Sequence, residues 1–293
     1  MLEVLVPFWG DPSHLRAAVA SVQAQTDPEW RLVVVDDHYP DPSVAQFFAG
    51  LHDERITYVR NDVNLGISAN FERCRQLATG DLVVFLGCDD LLHPTYVERA
   101  RSVLAAFPGA AILQPGVCVI DGSGSEARPL GDRVKDLLRP RVAAPTELSG
   151  EPLATSLLRG NWLYWPSLVF RRAWIAEREF RVDQDIVLDL SFVLGVVRDG
   201  GSLVLDPEVT FSYRRHAASL SSTAAVDGSR LAEEGRYFAE VAADLAQHGW
   251  PRAARAARQR WVSRLHALTL VPGALRNPAR RESVRHIWAH VTR

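Results

Sequence analysis

Two pairs of adjacent aspartates are the residues of this sequence whose type and spacing point most clearly to chemistry. Asp36-Asp37 follows the β-branched run of residues 31–35, and Asp89-Asp90 follows the apolar run of residues 82–86. Sites for Mg²⁺ and Mn²⁺ commonly use one or two carboxylates and complete the shell with substrate phosphates. The alternative is structural, since aspartate is also frequent in turns and at helix caps. Two such pairs favour a site for a cation and a phosphorylated ligand.

The elements around both pairs alternate between strand and helix. Short apolar runs predict four strands, over residues 2–6, 31–35, 56–59 and 82–86. Asp11 followed by Pro12 predicts a helix start, Ser68 a helix cap and Gly80 a helix stop, and a further helix opens at Pro94. Such a βαβ series predicts a mainly parallel sheet covered by helices, with ligands bound beyond the carboxyl ends of its strands. Both acidic pairs lie at such ends.

The second half of the chain has a mixed pattern. Residues 121–150 are rich in Gly, Pro, Ser and charge, which predicts a loop. Residues 165–170 are interpreted as a strand, residues 185–197 as a helix, and residues 203–205 and 209–213 as two strands. From about residue 228 the pattern is helical to the end.

The composition bounds the class of protein. Hydrophobic residues make up 47% of the 293 residues, which supports a sizeable core, and the net charge of −2 gives no drive towards nucleic acid. Three widely spaced cysteines without a CxxC pair argue against a disulfide framework or a zinc site. No signal-like segment and no apolar run of membrane-spanning length is found. A cytoplasmic, reducing setting is therefore expected.

Several ordered motifs give the sequence a resemblance to a known family. They are Val4-Leu5-Val6-Pro7-Phe8-Trp9, residues 33–37, residues 64–70 (Asn-Leu-Gly-Ile-Ser-Ala-Asn) and residues 85–90 (Phe-Leu-Gly-Cys-Asp-Asp). In order and spacing this set resembles the family 2 glycosyltransferases, over roughly residues 1–222. The resemblance implies an inverting enzyme with a GT-A fold: an α/β protein with a mainly parallel nucleotide-binding sheet flanked by helices.

The same resemblance implies a division of the chain. Residues 1–222 are expected to form the GT-A domain, with a nucleotide-sugar-binding half over 1–120 and an acceptor-binding half over 121–222. Residues 223–293 are expected to form a C-terminal helical region.

The donor-binding residues follow from the matched motifs. The resemblance implies nucleotide-sugar contacts by Pro7, Phe8, Trp9, Asp36, Asp37, Asn64, Gly66, Cys88 and Asp89. It implies that Asp90 binds a divalent cation, Mn²⁺ or Mg²⁺. Gly87 stands where the family often has a further aspartate, so metal dependence rests on the Asp89-Asp90 pair. A nucleophilic or ligating role for Cys88 is rejected, because no second soft ligand or paired histidine has suitable spacing.

An inverting transfer requires a base that takes a proton from the acceptor hydroxyl. The family places an acidic base at the start of a helix in its second half, often in a Glu-Asp pair, and the matching residue is Asp189. Leu188 stands where the glutamate is usual, and Asp183 and Asp185 are the alternatives. The structural alternative is that Asp185 caps the helix and Asp189 lies on its polar face.

Two further motifs resemble family segments. Tyr213-Arg214-Arg215-His216 resembles a segment whose Arg and His contact the diphosphate, which implies that role for Arg214 and His216. His216 is alternatively a metal ligand, and a solvated basic loop is the structural alternative. Asn161, Trp162 and Trp165 resemble the acceptor-side loop, although tryptophan is more often a core residue.

The C-terminal segment is strongly basic, with ten arginines and one acidic residue over 251–293. A basic amphipathic helix can lie on an anionic surface, which would place the protein peripherally at the inner face of the membrane. The favoured alternative is a helix packed on the catalytic domain with a solvated basic face.

The expected partners are a nucleoside-diphosphate sugar and a carbohydrate, lipid-linked or small-molecule acceptor, with no nucleic acid. Two other functions stay open. A sugar nucleotidyltransferase would have a Gly-rich basic loop after the first strand, which Pro7-Phe8-Trp9-Gly10-Asp11 is not. A non-catalytic binder of nucleotide or carbohydrate is the other alternative, because of Gly87 and Leu188.

Overall fold

A computed structural model describes residues 1–181, 187–215, 228–265 and 267, with the backbone alone for residues 228–232. Within these residues, nine strands form one sheet in the order β3-β2-β1-β4-β8-β6-β9-β5, and β7 pairs with β9. The strands are β1 (Leu2–Phe8), β2 (Trp30–Asp36), β3 (Ile56–Arg60), β4 (Leu82–Phe85), β5 (Leu91–Leu92), β6 (Ile112–Ile120), β7 (Thr146–Leu148), β8 (Val169–Arg171) and β9 (Leu203–Arg214).

Helices flank this sheet. They are α1 (Pro12–Gln23), α2 (Ser43–Ala49), α3 (Ile67–Leu77), α4 (Tyr96–Ala106), α5 (Leu130–Leu138), α6 (Gly150–Arg159), α7 (Leu188–Arg198), α8 (Gly228–Gln247) and α9 (Pro251–Gln259). The predicted start of α1 is confirmed, because the Asp11 carboxylate accepts a hydrogen bond of 2.7 Å from the Ser13 amide.

The first four strands form the predicted parallel half. β1 pairs in parallel with both β2 and β4, and β2 pairs in parallel with β3. The apolar side chains of β1, β2 and β4 are buried on both faces, in two hydrophobic clusters that lie on either side of the sheet. Burial on both faces explains why these strands are continuous apolar runs. The parallel register brings the carboxyl ends of β1 and β2 together, with Phe8 opposite Asp36.

The second half of the sheet is mixed. β8 is antiparallel to β4 and β6, whereas β9 is parallel to β6. The prediction of two strands over 203–205 and 209–213 is wrong, because β9 runs through both with shifts in its register to β6. The predicted strand over 165–170 is a 3₁₀ turn, Trp165–Ser167, followed by β8. The predicted loop over 121–150 contains α5 and β7.

The start and end of α3 also differ from prediction. The helix begins at Ile67 after Gly66, whose φ of 83° lies in the left-handed region, and Ser68 lies inside the helix. It ends at Leu77, before Gly80. A Cβ atom at Gly80 would lie 2.8 Å from the Cβ of Glu3, so this glycine allows the close approach of the chain to β1.

The C-terminal helix α9 packs on the rest of the protein. Four of its alanines are buried, and it contacts α6 and α8. Its arginines Arg252, Arg255 and Arg258 are exposed. The packed alternative is thus confirmed for this helix. Among the described helices, none has both the length and the apolar character that crossing a membrane requires.

Candidate active site

Asp90 lies beyond the carboxyl end of β4 and is the most unusual carboxylate of the described residues. Its side chain is 1% exposed. One oxygen, Oδ1, accepts a hydrogen bond of 2.8 Å from the Arg214 amide, but Oδ2 is buried without a partner in the described part of the chain. Burial, and then the charge of Asp89, raise the pKa of Asp90 well above its ordinary value. A buried carboxylate oxygen without a donor is costly unless it binds a proton or a cation.

Gly87 shapes the turn that holds this carboxylate. A Cβ atom at this position would overlap Asp90 Oδ2 and would lie 3.1 Å from Asp89 Oδ1. The turn between β4 and β5 therefore folds both carboxyl groups over the glycine. A side chain at position 87 would therefore require the carboxyl groups of Asp89 and Asp90 to move.

The residues at this turn fit a divalent cation. Asp90 offers the unpartnered oxygen, and a carboxyl oxygen of Asp89 lies on the same glycine. No group of three or more His, Cys, Asp or Glu residues suited to a metal is found within the described ranges. A site of one or two carboxylates is the type that binds Mg²⁺ or Mn²⁺ together with substrate phosphates, and not a closed cage built by the protein alone.

Arg214 closes the same turn from the end of β9. Its Nε donates to the Asp89 carbonyl at 2.8 Å, and its Nη1 donates to the Asp121 carbonyl at 3.1 Å. The guanidinium is therefore held by main-chain oxygens, in addition to the amide that binds Asp90. The structure shows Arg214 as the support of the aspartate turn. His216 lies outside the described residues.

Asp36 and Asp37 lie side by side at the carboxyl end of β2, and both are buried. Asp36 accepts hydrogen bonds from the Tyr39 amide at 2.7 Å and from the Tyr58 hydroxyl. Asp37 accepts from the amides of Leu65 and Gly66, at 2.8 and 2.9 Å. Both carboxylates thus hold the loops around the site expected to bind the nucleotide. Asp37 in particular anchors the segment that leads into α3.

The other predicted nucleotide contacts surround these two aspartates. Pro7 and Phe8 end β1, and Phe8 is buried with its ring 5.1 Å from that of Tyr39. Trp9 is 53% exposed, and its ring meets that of Tyr39 edge-on with 5.4 Å between the ring centres. Asn64 is exposed, and its side chain accepts from the Gly66 amide at 3.1 Å. The exposed indole beside a tyrosine is the surface here that could stack against a base.

Cys88 has a packing role. Its sulfur lies 3.2 Å from the position of a Cβ atom on Gly10, so it fills the space between the aspartate turn and the end of β1. Burial raises the pKa of the Cys88 thiol, which keeps it protonated and unreactive. Rejection of a nucleophilic role is consistent with this environment.

Asp189 lies in the first turn of α7 and is half-buried. Its Oδ2 accepts a hydrogen bond of 2.9 Å from Asn161 Nδ2. Leu188, which stands in place of the family's usual glutamate, is 6% exposed and belongs to the core. The alternatives Asp183 and Asp185 lie outside the described residues.

The three predicted acceptor-side residues differ in position. Asn161 is half-buried and contacts Asp189. Trp162 and Trp165 are buried, at 0% and 8% exposure. Trp162 Nε1 donates to Ser156 Oγ at 3.1 Å, and Trp165 lies in a cluster of phenylalanine rings. Of the three, Asn161 has the geometry of a site residue, whereas both indoles contribute to the core.

Sequence reasoning missed a charged cluster on α5. Asp132 is 3% exposed and accepts two hydrogen bonds of 3.0 Å from the Arg215 guanidinium and one of 3.1 Å from the Tyr164 hydroxyl. The charge of Arg215 acts on Asp90 and also on Lys135, a lysine of the same helix. The spacing of Leu130, Val134 and Leu138 is helical and was the available signal.

The chain is similar to known glycosyltransferases. Residues 3–146 match the model of glycosyl transferase family 2. The succinoglycan biosynthesis protein ExoW of Rhizobium meliloti is 35% identical over 111 residues, which cover 36% of this chain and 34% of ExoW. The uncharacterized glycosyltransferase RT0329 of Rickettsia typhi is 23% identical over 228 residues, covering 76% of this chain and 67% of the relative. The matched stretch is thus about a third of ExoW.

A solved structure shows the same fold. TarS of S. aureus, residues 1–349 in complex with UDP-GlcNAc, superposes with a TM-score of 0.64 at 15% identity, over 82% of this chain and 66% of that one. The nine-stranded sheet with its flanking helices is therefore a GT-A fold. The match to glycosyl transferase family 2 covers residues 3–146, just under half of the chain, and includes both aspartate pairs.

Proposed function

We propose that this glycosyltransferase moves a sugar from a nucleoside-diphosphate sugar to an acceptor hydroxyl, with inversion and with the help of a divalent cation. The observation that carries the proposal is the unpartnered, buried Oδ2 of Asp90 at the carboxyl end of β4. It lies at the same edge of the sheet as Asp36 and Asp37, which hold the loops of the expected nucleotide site. TarS, which shares the fold, binds UDP-GlcNAc in its solved complex, so UDP sugars are the first donors to test.

Asp90 and Asp89 would hold Mn²⁺ or Mg²⁺, and the bound ion would stabilise the negative charge of the leaving diphosphate. Arg214 would hold the Asp90 carboxyl group through its amide and the main chain of Asp89 through its guanidinium. Trp9 would stack on the base, beside the loops that Asp36 and Asp37 hold. These are the contributions of the chain to donor binding.

Asp189 is proposed as the base. Its carboxylate takes the proton of the acceptor hydroxyl while that oxygen forms a bond to the anomeric carbon. The bond from the anomeric carbon to the diphosphate oxygen breaks, and the electron pair leaves with the nucleoside diphosphate. Asn161 holds one carboxylate oxygen at 2.9 Å and fixes the orientation of the other. Attack from the side opposite the leaving group gives inversion.

Donor binding is tested by calorimetry with a panel of nucleoside diphosphates and their sugars, with and without Mn²⁺. We expect one nucleotide to bind, with an affinity that falls at least tenfold when the metal is removed or when Asp90 is replaced by Ala. A panel in which no nucleotide binds would exclude the function, and binding that is indifferent to both changes would exclude the role of the metal.

We also propose that the protein acts in the cytoplasm. A peripheral contact with an anionic membrane would use the exposed arginines of α9 together with Trp261 and Leu265, which are 61% and 59% exposed. Sedimentation with vesicles of anionic lipid, compared with neutral vesicles, tests that contact.

A further inference from the structure

Lys135 is the only lysine of the chain, and its ammonium lies in the acceptor half. Its Nζ donates a hydrogen bond of 2.6 Å to the Leu163 carbonyl and lies 4.4 Å from the centre of the Tyr164 ring. An ammonium has three N–H donors. In the described part of the chain, the Leu163 carbonyl is the hydrogen-bond acceptor that Nζ reaches, so donor capacity remains for a ligand.

A short segment joins Lys135 to Asp189. The Leu163 amide donates to Asn161 Oδ1 at 3.2 Å, and Asn161 Nδ2 donates to Asp189 Oδ2 at 2.9 Å. Lys135 thus binds one end of the segment and Asp189 the other. The two charges lie close enough to interact: burial lowers the pKa of Lys135 to about 8, and the negative charge of Asp189 acts in the opposite direction.

The other charged groups around Lys135 already have partners. Asp132 is bound by Arg215 through two hydrogen bonds and by the Tyr164 hydroxyl through a third. Arg215, facing Lys135 from the end of β9, lowers the pKa of Lys135 further. Burial, and then the charge of Asp189, raise the pKa of the buried Tyr237 of α8. Asp189 accepts from Asn161 and, through Oδ1, from the Leu190 amide at 2.7 Å. An ammonium donor and a carboxylate acceptor thus lie at the two ends of the segment.

We propose that Lys135 contacts the acceptor, and that it donates to a second oxygen of the molecule whose hydroxyl proton Asp189 removes. A carboxylate and an ammonium held by one hydrogen-bonded segment match two hydroxyl groups of one ligand, one of which donates while the other accepts. The acceptor is therefore a saccharide that presents a second hydroxyl group to Lys135. This inference rests on the proposed role of Asp189.

The test measures nucleoside diphosphate release from the donor found by calorimetry, first with water alone and then with a panel of methyl glycosides. In Lys135→Met we expect hydrolysis by water and the donor KM to stay within threefold of the unaltered protein. The release stimulated by the glycoside should fall at least about tenfold, the effect of a lost hydrogen bond to a charged group. Arg133→Met, an exposed neighbour on α5, is the matched control and should change neither rate.

Deoxy glycosides make the assignment specific. Removal of the hydroxyl that Lys135 binds should lower the stimulated rate of the unaltered protein by the same factor, and should lower that of Lys135→Met no further. Lys135→Arg keeps a charged donor and should recover part of the stimulated rate. In the unaltered protein, a stimulating glycoside should slow the modification of Lys135 by an amine reagent at least threefold, as read by peptide mass.

Several results would overturn the inference. They are stimulation retained within threefold in Lys135→Met, an equal loss of hydrolysis by water, no protection of the amine, or an unaltered protein that turns over donor and responds to no glycoside. Failure of the proposed function looks different, because then the unaltered protein neither binds nor hydrolyses any nucleotide sugar.

Discussion

Replacement of Asp90 by Asn should stabilise the metal-free protein. Asp90 is 1% exposed, and its Oδ2 has no hydrogen-bond partner in the described residues. The negative charge of its ionised form is therefore poorly stabilised. An unsatisfied buried group of this kind costs about 1–3 kcal/mol. Since 1 kcal/mol shifts the Tm of a domain of about 150–250 residues by about 2–4 °C, we expect a rise of a few degrees in Asp90→Asn at pH 7.

The stabilisation by Asp90→Asn should depend on pH, because the pKa of Asp90 is raised in the folded protein. Below the ordinary aspartate pKa of 3.8, the carboxyl group is protonated in both the folded and the unfolded chain, so the substitution changes little. Above it, the unfolded chain loses the proton while the folded chain, in which the pKa is raised, keeps it. The unaltered protein therefore loses stability as the pH rises towards the folded pKa. The difference in Tm between variant and unaltered protein should grow from pH 4 to pH 7.

The assay is thermal unfolding in a chelator, followed by circular dichroism, across that pH range. Asp206→Asn is the matched control, because Asp206 is also fully buried but receives two hydrogen bonds, of 2.8 and 2.9 Å, from Arg99. This control should lose about 1–3 kcal/mol. If Asp90→Asn is as stable as the unaltered protein or less so at pH 7, or if the difference does not change with pH, the reasoning about Oδ2 is refuted.

Three further substitutions test other contacts. Asp37→Asn weakens an anchor that accepts from two loop amides, so we expect a loss of about 1–3 kcal/mol in urea unfolding and weaker nucleotide binding by calorimetry; unchanged affinity would separate this loop from the site. Gly87→Ala places a methyl group on Asp90 Oδ2 and should abolish the extra thermal stabilisation by nucleotide with Mn²⁺; full stabilisation would contradict the described turn. Glu3→Gln disturbs a buried carboxylate that accepts from the amides after α3, so stability in urea should fall by about 1–2 kcal/mol with nucleotide affinity unchanged; a parallel loss of affinity would count against a purely structural role.

The parallel half was predictable because its signals are local. Continuous β-branched runs give buried strands, and the rule that ligands bind beyond their carboxyl ends places Asp36 and Asp90 at one edge before any comparison. The resemblance to glycosyl transferase family 2 and the fold class were also predicted correctly. The start of α3 was missed because a positive φ at Gly66 replaces the expected side-chain cap.

The acceptor half was less predictable because its contacts join distant segments. α5 was interpreted as a loop from its Gly, Pro and charge content, and Lys135 and Asp132 were missed with it. Their significance depends on Leu163 and Arg215, which are 28 and 83 residues away. Likewise, no local pattern shows that Trp162 and Trp165 are buried, since an indole ring can pack against a sugar surface as well as in a core.

The central claim is metal-assisted sugar transfer with Asp90 and Asp189 in the roles proposed. It is tested most directly by nucleoside diphosphate release from nucleotide sugars in the presence of Mn²⁺, measured for the unaltered protein and for Asp90→Ala and Asp189→Ala. We predict turnover of at least one donor by the unaltered protein, and a loss of at least about 100-fold in each variant. That is the scale of a lost general base for Asp189→Ala and of lost charge stabilisation by the metal for Asp90→Ala. Full turnover in both variants would contradict the account.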